Sequence, residues 1–219
     1  MRFEAILFDF DGTLADSSAA IAECVDFALH ALGLPPASPQ QIRQLVGLPL
    51  REMFLRLAGV EREFLSDNFV RLYRKHADEI MTDKTFLFDP VPHILPILRK
   101  CGLRLGIVST KGRFRILPVL ERENVLQHFQ VIIGGEDVSA YKPDPEGLLK
   151  AVRRLACVPA RSLYVGDSLI DAEAAMRANI PFVAVLSGEI SKESFSSYGM
   201  HAAVGDLGEL PHLLGCITA

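Results

Sequence analysis

The sequence predicts an α/β protein, in which a doubly wound parallel sheet carries an inserted block of helices. Short apolar runs alternate with helical patterns along most of the chain, which is typical of parallel strands joined by helices. The alternation is interrupted once, from about residue 16 to residue 81, where only helical patterns occur. A chain of 219 residues is long enough for a core domain and a smaller lobe.

Five apolar runs are the predicted strands. Continuous apolar runs of this length indicate strands that are buried on both faces of a parallel sheet. The runs lie in Glu4–Asp9, Leu103–Val108, Val131–Ile133, Ser162–Val165 and Phe182–Leu186. The helical patterns between the later strands span Val91–Cys101, Phe114–Glu121, Glu146–Leu155 and Leu169–Ala178.

The inserted block contains four amphipathic helical stretches. They span Ser17–Leu32, Pro39–Val46, Leu50–Leu57 and Glu61–Ile80. Gly33, Gly47 and Gly59 lie between these stretches and are expected to end helices. We therefore predict a core domain of residues 1–14 and 87–219 and an inserted helical domain of residues 15–86.

Composition and charge exclude several classes of protein. The chain is 49% hydrophobic with a formal net charge of -4, so it lacks the basic field that nucleic-acid binding would require. No apolar stretch is long enough to span a membrane, and the N-terminal residues do not resemble a signal peptide. We therefore expect a cytoplasmic protein without nucleic-acid or membrane partners.

The cysteines and histidines do not form a recognisable metal site. The four cysteines are scattered without CxxC spacing, which argues against a zinc site and against a disulfide framework. We expect them to be reduced, partly buried thiols. The six histidines occur singly, and we interpret them as structural or surface residues.

Polar residues follow several of the predicted strands, at the edge where ligands of open parallel sheets bind. Asp9 and Asp11 follow the first strand, and side chains two residues apart in extended chain point the same way. Gly12 then allows a sharp turn. Ser109 and Thr110 end the second strand, where a hydroxyl and nearby backbone N–H groups can hold a phosphate oxygen.

Two later motifs complete this edge. Lys142 precedes a predicted helix entrance, where the neighbouring prolines restrict its backbone and its ammonium group can reach a phosphate. Asp167 ends a strand, and Asp171 lies about one helical turn later. Carboxylates gathered without a cation repel each other, and oxygen ligands suit Mg²⁺. The cluster therefore predicts a bound divalent cation.

Taken together, these motifs resemble the haloacid dehalogenase superfamily of phosphotransferases. The resemblance covers nearly the whole chain and runs in the family order, from Asp9-x-Asp11-Gly-Thr to Ser109, Lys142-Pro and Gly166-Asp167-Ser-x-x-Asp171. It implies a Rossmann-like core, and the inserted helices resemble the small α-helical cap of that superfamily. Phrases such as Asp11-Gly-Thr-Leu-Ala-Asp-Ser and Gly47-Leu-Pro-Leu-Arg51-Glu are similar to those of phosphoglycolate phosphatases.

The resemblance implies a role for each matching residue. Asp9 is the implied nucleophile and Asp11 the acid/base, while Ser109 and Lys142 bind the phosphate. The resemblance also implies that Mg²⁺ binds to Asp9, to the carbonyl group of Asp11 and to Asp167, with support from Asp171. We further expect contacts to phosphate or substrate from four residues: Gly12, Thr110, Lys111 and Arg51.

The sequence departs from the family pattern in two places. Ser109-Thr110-Lys111 stands where phosphoglycolate phosphatases commonly have Thr-Asn-Lys. The hydroxyl is kept, so the same chemistry is expected, whereas the substrate need not be the same. Ala178-Asn179 stands where relatives usually have Ala-Gly, and Asn also tolerates the left-handed conformation of a helix end.

The expected reaction is hydrolysis of a small phosphorylated metabolite, similar to phosphoglycolate, through an aspartyl phosphate. A phosphoglucomutase-like isomerase and another phosphohydrolase such as a pyrophosphatase remain alternatives, since both use the same chemistry. A third alternative is a binding module without catalytic activity, but the intact acidic motifs argue against it. The sequence leaves open the natural substrate and whether the protein is a monomer or a homodimer.

Overall fold

A parallel sheet forms the centre of the computed structural model, which describes residues 3–187 and 190–217. In chain order the strands within these residues are β1 (Ala5–Phe8), β2 (Ala15–Asp16), β3 (Phe86–Leu87), β4 (Arg104–Val108), β5 (Phe129–Ile133), β6 (Ser162–Gly166), β7 (Phe182–Val185) and β8 (Ala202–Val204). Six of them form the sheet in the order β5-β4-β1-β6-β7-β8, with parallel pairing throughout. Strand β1 thus lies inside the sheet, between β4 and β6.

Helices connect most of the strands, and one helix follows the last strand. In chain order they are α1 (Ser18–Ala31), α2 (Pro39–Arg43), α3 (Leu50–Ala58), α4 (Ser66–Ile80), α5 (Val91–Lys100), α6 (Arg113–Arg122), α7 (Glu146–Arg154), α8 (Leu169–Ala178) and α9 (Leu210–Leu213). Short 3-10 turns lie at Val60–Leu65, Leu126–His128, Gly135–Asp137, Pro159–Arg161, Lys192–Tyr198 and Leu207–Glu209. None of the helices in the described ranges has the length and apolarity needed to cross a lipid bilayer.

Both faces of the sheet are covered by helices. Alternate residues of a strand point to opposite faces, so Ile6 and Phe8 pack with α5 and α6 while Ala5 and Leu7 pack with α7 and α8. Burial on both faces explains why the strand sequences are continuously apolar. The doubly wound α/β architecture predicted from the sequence is confirmed.

All five predicted strands are present, and the sequence analysis missed three others. Strand β8 has only three residues, of which Ala202 and Ala203 are half-buried, so it gives little periodic signal. Strands β2 and β3 have two residues each and pair antiparallel, with Ala15 opposite Leu87. This two-stranded ribbon joins the chain segments that lead into and out of the helical block.

The helices α1 to α4 enclose an apolar cluster of their own, whose buried members all lie between Ala20 and Met81. Two predicted boundaries differ from the structure. Helix α2 ends at Arg43, and the predicted helix over Glu61–Ile80 consists of a 3-10 turn followed by α4. The separate cluster supports an inserted domain, while its boundaries at residues 15 and 86 stay a prediction.

One cysteine pair corrects the sequence analysis. Cys101 follows α5 and Cys216 follows α9, and the two form a disulfide with a Cα–Cα distance of 5.7 Å. The expectation that all four cysteines are free thiols is therefore wrong for this pair. Helices α5 and α9 pack together, but 115 residues separate the two cysteines, so sequence spacing gives no sign of their proximity. Cys24 and Cys157 are free.

The aromatic cluster of the helical block gives a test of its packing. Phe69 is fully buried, and its ring centroid lies 4.8 Å from that of Phe54. We expect Phe69→Ala to lower the free energy of unfolding by about 3–5 kcal/mol, because it removes buried apolar contacts and leaves a cavity. Phe64 is 77% exposed, so Phe64→Ala should change stability by less than about 0.5 kcal/mol. Urea unfolding followed by circular dichroism measures both, and a loss below about 1 kcal/mol for Phe69→Ala would contradict this packing.

Candidate active site

Asp9 lies at the carboxyl end of β1, in the middle of the sheet. Its backbone N–H continues the strand pairing by donating to the Val165 carbonyl group at 2.9 Å. The side chain is almost fully buried, at 3% exposure. Since β1 is flanked by β4 and β6, residues that end these three strands meet around the Asp9 carboxylate.

The loop after Asp9 turns back at Gly12. Gly12 has a φ of +85°, and its N–H donates to the Ala15 carbonyl group at 2.8 Å. A Cβ atom at this position would lie 2.3 Å from Asp167 Oδ2, so only glycine lets the loop approach that carboxylate. Thr13 then donates to Asp167 Oδ1 at 2.7 Å. The loop and the end of β6 are thereby joined through Asp167.

Lys142 brings its ammonium group into this carboxylate cluster. Its Nζ atom lies 3.0 Å from Asp9 Oδ1 and 2.5 Å from Asp171 Oδ1. The contact with Asp9 is an ion pair, and the buried Oδ1 atom has no other partner among the described residues. Burial opposes the charge on Lys142, but Asp171 and Asp9 outweigh it and raise the pKa of the ammonium group.

Asp171 is fully buried, and both of its carboxylate oxygens are occupied. Oδ1 accepts hydrogen bonds from Lys142 at 2.5 Å and from the Tyr164 hydroxyl at 2.8 Å. Oδ2 accepts from the Ser168 hydroxyl at 2.6 Å and from the Ser168 N–H at 3.2 Å, which caps α8. A carboxylate has about four acceptor sites, so Asp171 has none left and acts here as an anchor for Lys142.

Three of these acids fit a divalent cation. Asp9, Asp167 and Asp171 have carboxylate oxygens within 4.8 Å of one another. Together with the ammonium group of Lys142, three ionised carboxylates leave two uncompensated negative charges, which one divalent cation would balance. Since the oxygens of Asp171 are engaged, Asp9 and Asp167 are the acids best able to ligate it, and oxygen donors of this kind suit Mg²⁺.

The pKa values of Asp9 and Asp167 reflect the same excess of negative charge. Burial raises the pKa of Asp9 to about 7, with a further contribution from Asp171, although Lys142 acts in the opposite direction. Desolvation likewise raises the pKa of Asp167 to about 8, and the charges of Asp171 and Asp9 add to the effect. Both carboxyl groups thus resist ionisation until a cation offsets their charge.

Asp11 is held apart from this cluster by its own partners. Its Oδ1 atom accepts from the Lys111 ammonium group at 2.8 Å and from the Ser17 hydroxyl at 2.5 Å. Lys111 Nζ also contacts the Ser17 hydroxyl at 3.2 Å. Lys111 was predicted to contact phosphate or substrate; here it forms an ion pair with Asp11.

Ser109 and Thr110 follow β4 and have different surroundings. Ser109 is 6% exposed, and its hydroxyl accepts from the Lys111 N–H at 3.2 Å, which leaves its own proton available to a ligand. The Thr110 hydroxyl instead donates to the Gly47 carbonyl group at 3.1 Å. Thr110 therefore links the edge of the sheet to the loop between α2 and α3.

A cavity of about 550 Å³ lies between the helical block and this edge of the sheet. Asp11 and Lys111 line it from the sheet side, and α3 and α4 line it from the other. Its volume suits a small molecule. Arg51 also lines the cavity, but its guanidinium group is paired with Asp67 at 2.5 Å and with Glu63 at 3.5 Å.

The structure thus brings Asp9, Lys142, Asp167 and Asp171 together, whereas Asp11 lies beside them on the cavity side. Sequence reasoning missed Tyr164, which is fully buried and whose hydroxyl accepts a hydrogen bond from Lys142 Nζ at 3.1 Å. A usable signal was present, because a tyrosine inside a buried apolar strand needs a partner for its hydroxyl.

Comparison with known proteins gives the family. The family described as haloacid dehalogenase-like hydrolase matches residues 6–185. A crystal structure of a haloacid dehalogenase-like hydrolase from Bacteroides fragilis has 41% identity and a TM-score of 0.92, covering 95% of this chain and all of that one (100%).

Two curated relatives are phosphoglycolate phosphatases. The one from Salmonella typhi is 37% identical over 208 residues, which cover 85% of this chain and 82% of the relative. The one from Escherichia coli O157:H7 is 36% identical over 204 residues, which cover 84% of this chain and 81% of the relative. The match of fold, motif order and sequence shows that the chain belongs to the haloacid dehalogenase-like hydrolases and is an enzyme similar to phosphoglycolate phosphatases.

Proposed function

We propose that this enzyme is a Mg²⁺-dependent phosphatase that hydrolyses a small phosphorylated metabolite, similar to phosphoglycolate, through an aspartyl phosphate on Asp9. One observation carries the proposal. The buried Asp9 carboxylate lies 3.0 Å from Lys142 Nζ, in a cluster of three acids that, once ionised, carry two more negative charges than Lys142 can balance. The names of the curated relatives support the substrate class.

Asp9 has the position of a nucleophile. The end of β1 fixes its backbone, and within the described part of the chain only the Lys142 ammonium group contacts its Oδ1 atom. In the first step a carboxylate oxygen of Asp9 forms a bond to phosphorus while the ester P–O bond breaks. Lys142 and the Ser109 hydroxyl offset the charge on the phosphoryl oxygens, and Asp171 and Tyr164 keep Lys142 in place.

The cation has a distinct contribution. Bound Mg²⁺, held by Asp9, the Asp11 carbonyl group and Asp167, would neutralise charge on the phosphoryl oxygens during transfer. Thr13 orients Asp167 for this role through its hydrogen bond at 2.7 Å. Asp171 supports the site through Lys142 and Ser168.

Asp11 serves as the acid/base. It lines the cavity, next to the place of the leaving group, and Lys111 and Ser17 fix its carboxyl group. In the first step the protonated form of Asp11 gives its proton to the departing alkoxide, which leaves the carboxylate that pairs with Lys111. In the second step the Asp11 carboxylate takes a proton from water, which attacks phosphorus and releases inorganic phosphate and the Asp9 carboxylate.

The metal requirement gives the first test. Enzyme treated with excess EDTA should be inactive towards p-nitrophenyl phosphate, and added Mg²⁺ should restore activity. Ca²⁺ should substitute poorly, because its longer bonds and larger ligand number would let Asp9 bind in a geometry that does not favour attack. Full turnover in excess EDTA would contradict the proposal.

Gly12 tests the approach of the loop to Asp167. Gly12→Ala should reduce kcat by about 100-fold or more, because the added Cβ atom would displace a carboxylate that holds the metal. Gly33→Ala is the matched control: Gly33 has a similar φ of +69°, but a Cβ atom there meets nothing within 4 Å. The control should lose roughly 1–2 kcal/mol of stability and keep its activity. Equal kcat values for the two variants would refute this role of Gly12.

The two aspartates of the first motif should respond differently to substitution. Asp9→Asn should abolish turnover of every substrate, because it removes the nucleophile. Asp11→Asn should still release p-nitrophenolate, which leaves without a proton, in a burst followed by slow hydrolysis of the aspartyl phosphate. With an alkyl phosphate the first step should slow by about 10²–10⁴-fold. Stopped-flow kinetics decide the matter: equal losses on both leaving groups and no burst would show that Asp11 is not the acid/base.

A further inference from the structure

Among the residues that the structure describes, four basic ones line the cavity, and three of them are already neutralised. Arg51 is paired with Asp67, and Lys111 is paired with Asp11. These pairs leave little net charge for binding an anion, since each cation already has a carboxylate at 2.5–2.8 Å.

The third pair joins Arg115 of α6 to Asp78 of α4. Arg115 Nη2 lies 2.5 Å from Asp78 Oδ1 and donates to the Arg74 carbonyl group at 3.2 Å. Its Nε atom is different, because it is buried and has no acceptor among the described residues. A buried donor without an acceptor is unfavourable, and Arg115 lines the cavity.

Arg74 is the fourth basic residue. It is exposed on α4, it lines the cavity, and no carboxylate or other acceptor of the described residues contacts its guanidinium group. The contact of Arg115 with the Arg74 carbonyl group brings the two residues side by side on one wall. One wall of the cavity therefore carries an unpaired guanidinium group beside Arg115, whose buried Nε atom has no acceptor among the described residues.

We propose that Arg74, beside Arg115, binds a second anionic group of the substrate, a carboxylate or a second phosphate. This inference rests on the proposed function and narrows its substrate class to phosphate esters whose far end is negatively charged. A phosphate bound at Asp9 and Lys142 would lie next to Asp11, and Asp11 and Arg74 line the same cavity, so the far end of the substrate extends into the space that Arg74 borders. A guanidinium group without a protein partner suits a carboxylate or phosphate there.

The proposal assigns specificity to Arg74 and not to Arg51, the residue expected from the sequence. Arg51 is already held by two carboxylates, at 2.5 Å and 3.5 Å, and binding an anion would disrupt those pairs. Arg74 needs no such rearrangement.

Substrates that differ at the far end test the assignment. The kcat/KM values of Arg74→Ala are compared with those of the unmodified enzyme for phosphoglycolate, pyrophosphate and ethyl phosphate, all with Mg²⁺. Loss of a charge-assisted contact should lower kcat/KM about tenfold or more, mainly through KM, for at least one of the first two. Ethyl phosphate lacks the second anion and should change less than about twofold. Whether phosphoglycolate or pyrophosphate is affected identifies a carboxylate or a phosphate.

Three matched variants sharpen the result. Arg71→Ala removes an exposed arginine of the same helix that is not among the cavity-lining residues, and it should leave all three substrates unaffected. Arg74→Lys should restore part of the lost kcat/KM, because it keeps the charge. Arg51→Ala should affect phosphoglycolate less than Arg74→Ala does. Equal losses for all three substrates in Arg74→Ala, or no loss for either anionic one, would overturn the proposal.

A binding measurement separates this inference from the proposed function. In an Asp9→Asn background, calorimetry with phosphoglycolate, pyrophosphate and ethyl phosphate measures affinity without turnover. Arg74→Ala should lower the affinity for an anionic ligand about tenfold and leave the affinity for ethyl phosphate unchanged. This result is expected even if the unmodified enzyme hydrolyses none of the three. Hydrolysis by the unmodified enzyme together with unchanged affinities in Arg74→Ala would leave the phosphatase standing and refute the role of Arg74.

Discussion

The pairing of Lys142 with Asp9 and Asp171 is the interaction on which the site depends. All three groups are buried, and a buried charge is tolerated only when it is paired and hydrogen-bonded. They come from different parts of the fold, because Asp9 directly follows β1, Asp171 lies in the first turn of α8 and Lys142 precedes α7. The same network includes Tyr164 of β6, so one ammonium group fixes the relative positions of strands and loops that the chemistry requires.

Once ionised, the clustered acids carry more negative charge than Lys142 can neutralise. This excess of negative charge makes the site suitable for a cation. Asp167 is brought against the loop at Gly12, where a side chain would collide with it, and Thr13 holds it there. Asp9 and Asp167 thus remain close to each other with raised pKa values, which stay raised until a cation compensates them. Close packing of backbone and carboxylate therefore holds together two acids whose joint ionisation a divalent cation would favour.

The helical block contributes walls of the cavity, while the sheet contributes the cluster of acids and Lys142. Its helices have their own apolar cluster, and they reach the sheet edge through polar contacts such as Thr110 with Gly47 and Arg115 with Asp78. Pairing of most cavity arginines with acids means that the charge available to a substrate cannot be counted from composition. It depends on which guanidinium group is left without a partner.

The sequence by itself determined the α/β class, the five main strands and the acids and lysine that gather at the sheet edge, because buried parallel strands have continuous apolar runs and their carboxyl ends converge. It did not reveal β8 or the β2–β3 ribbon, which are too short for a periodic signal. The tertiary structure alone decided that Lys111 pairs with Asp11, that Arg51 is neutralised and that Cys101 meets Cys216. These pairings join residues from separate elements of the chain, and only packing brings their side chains within contact distance.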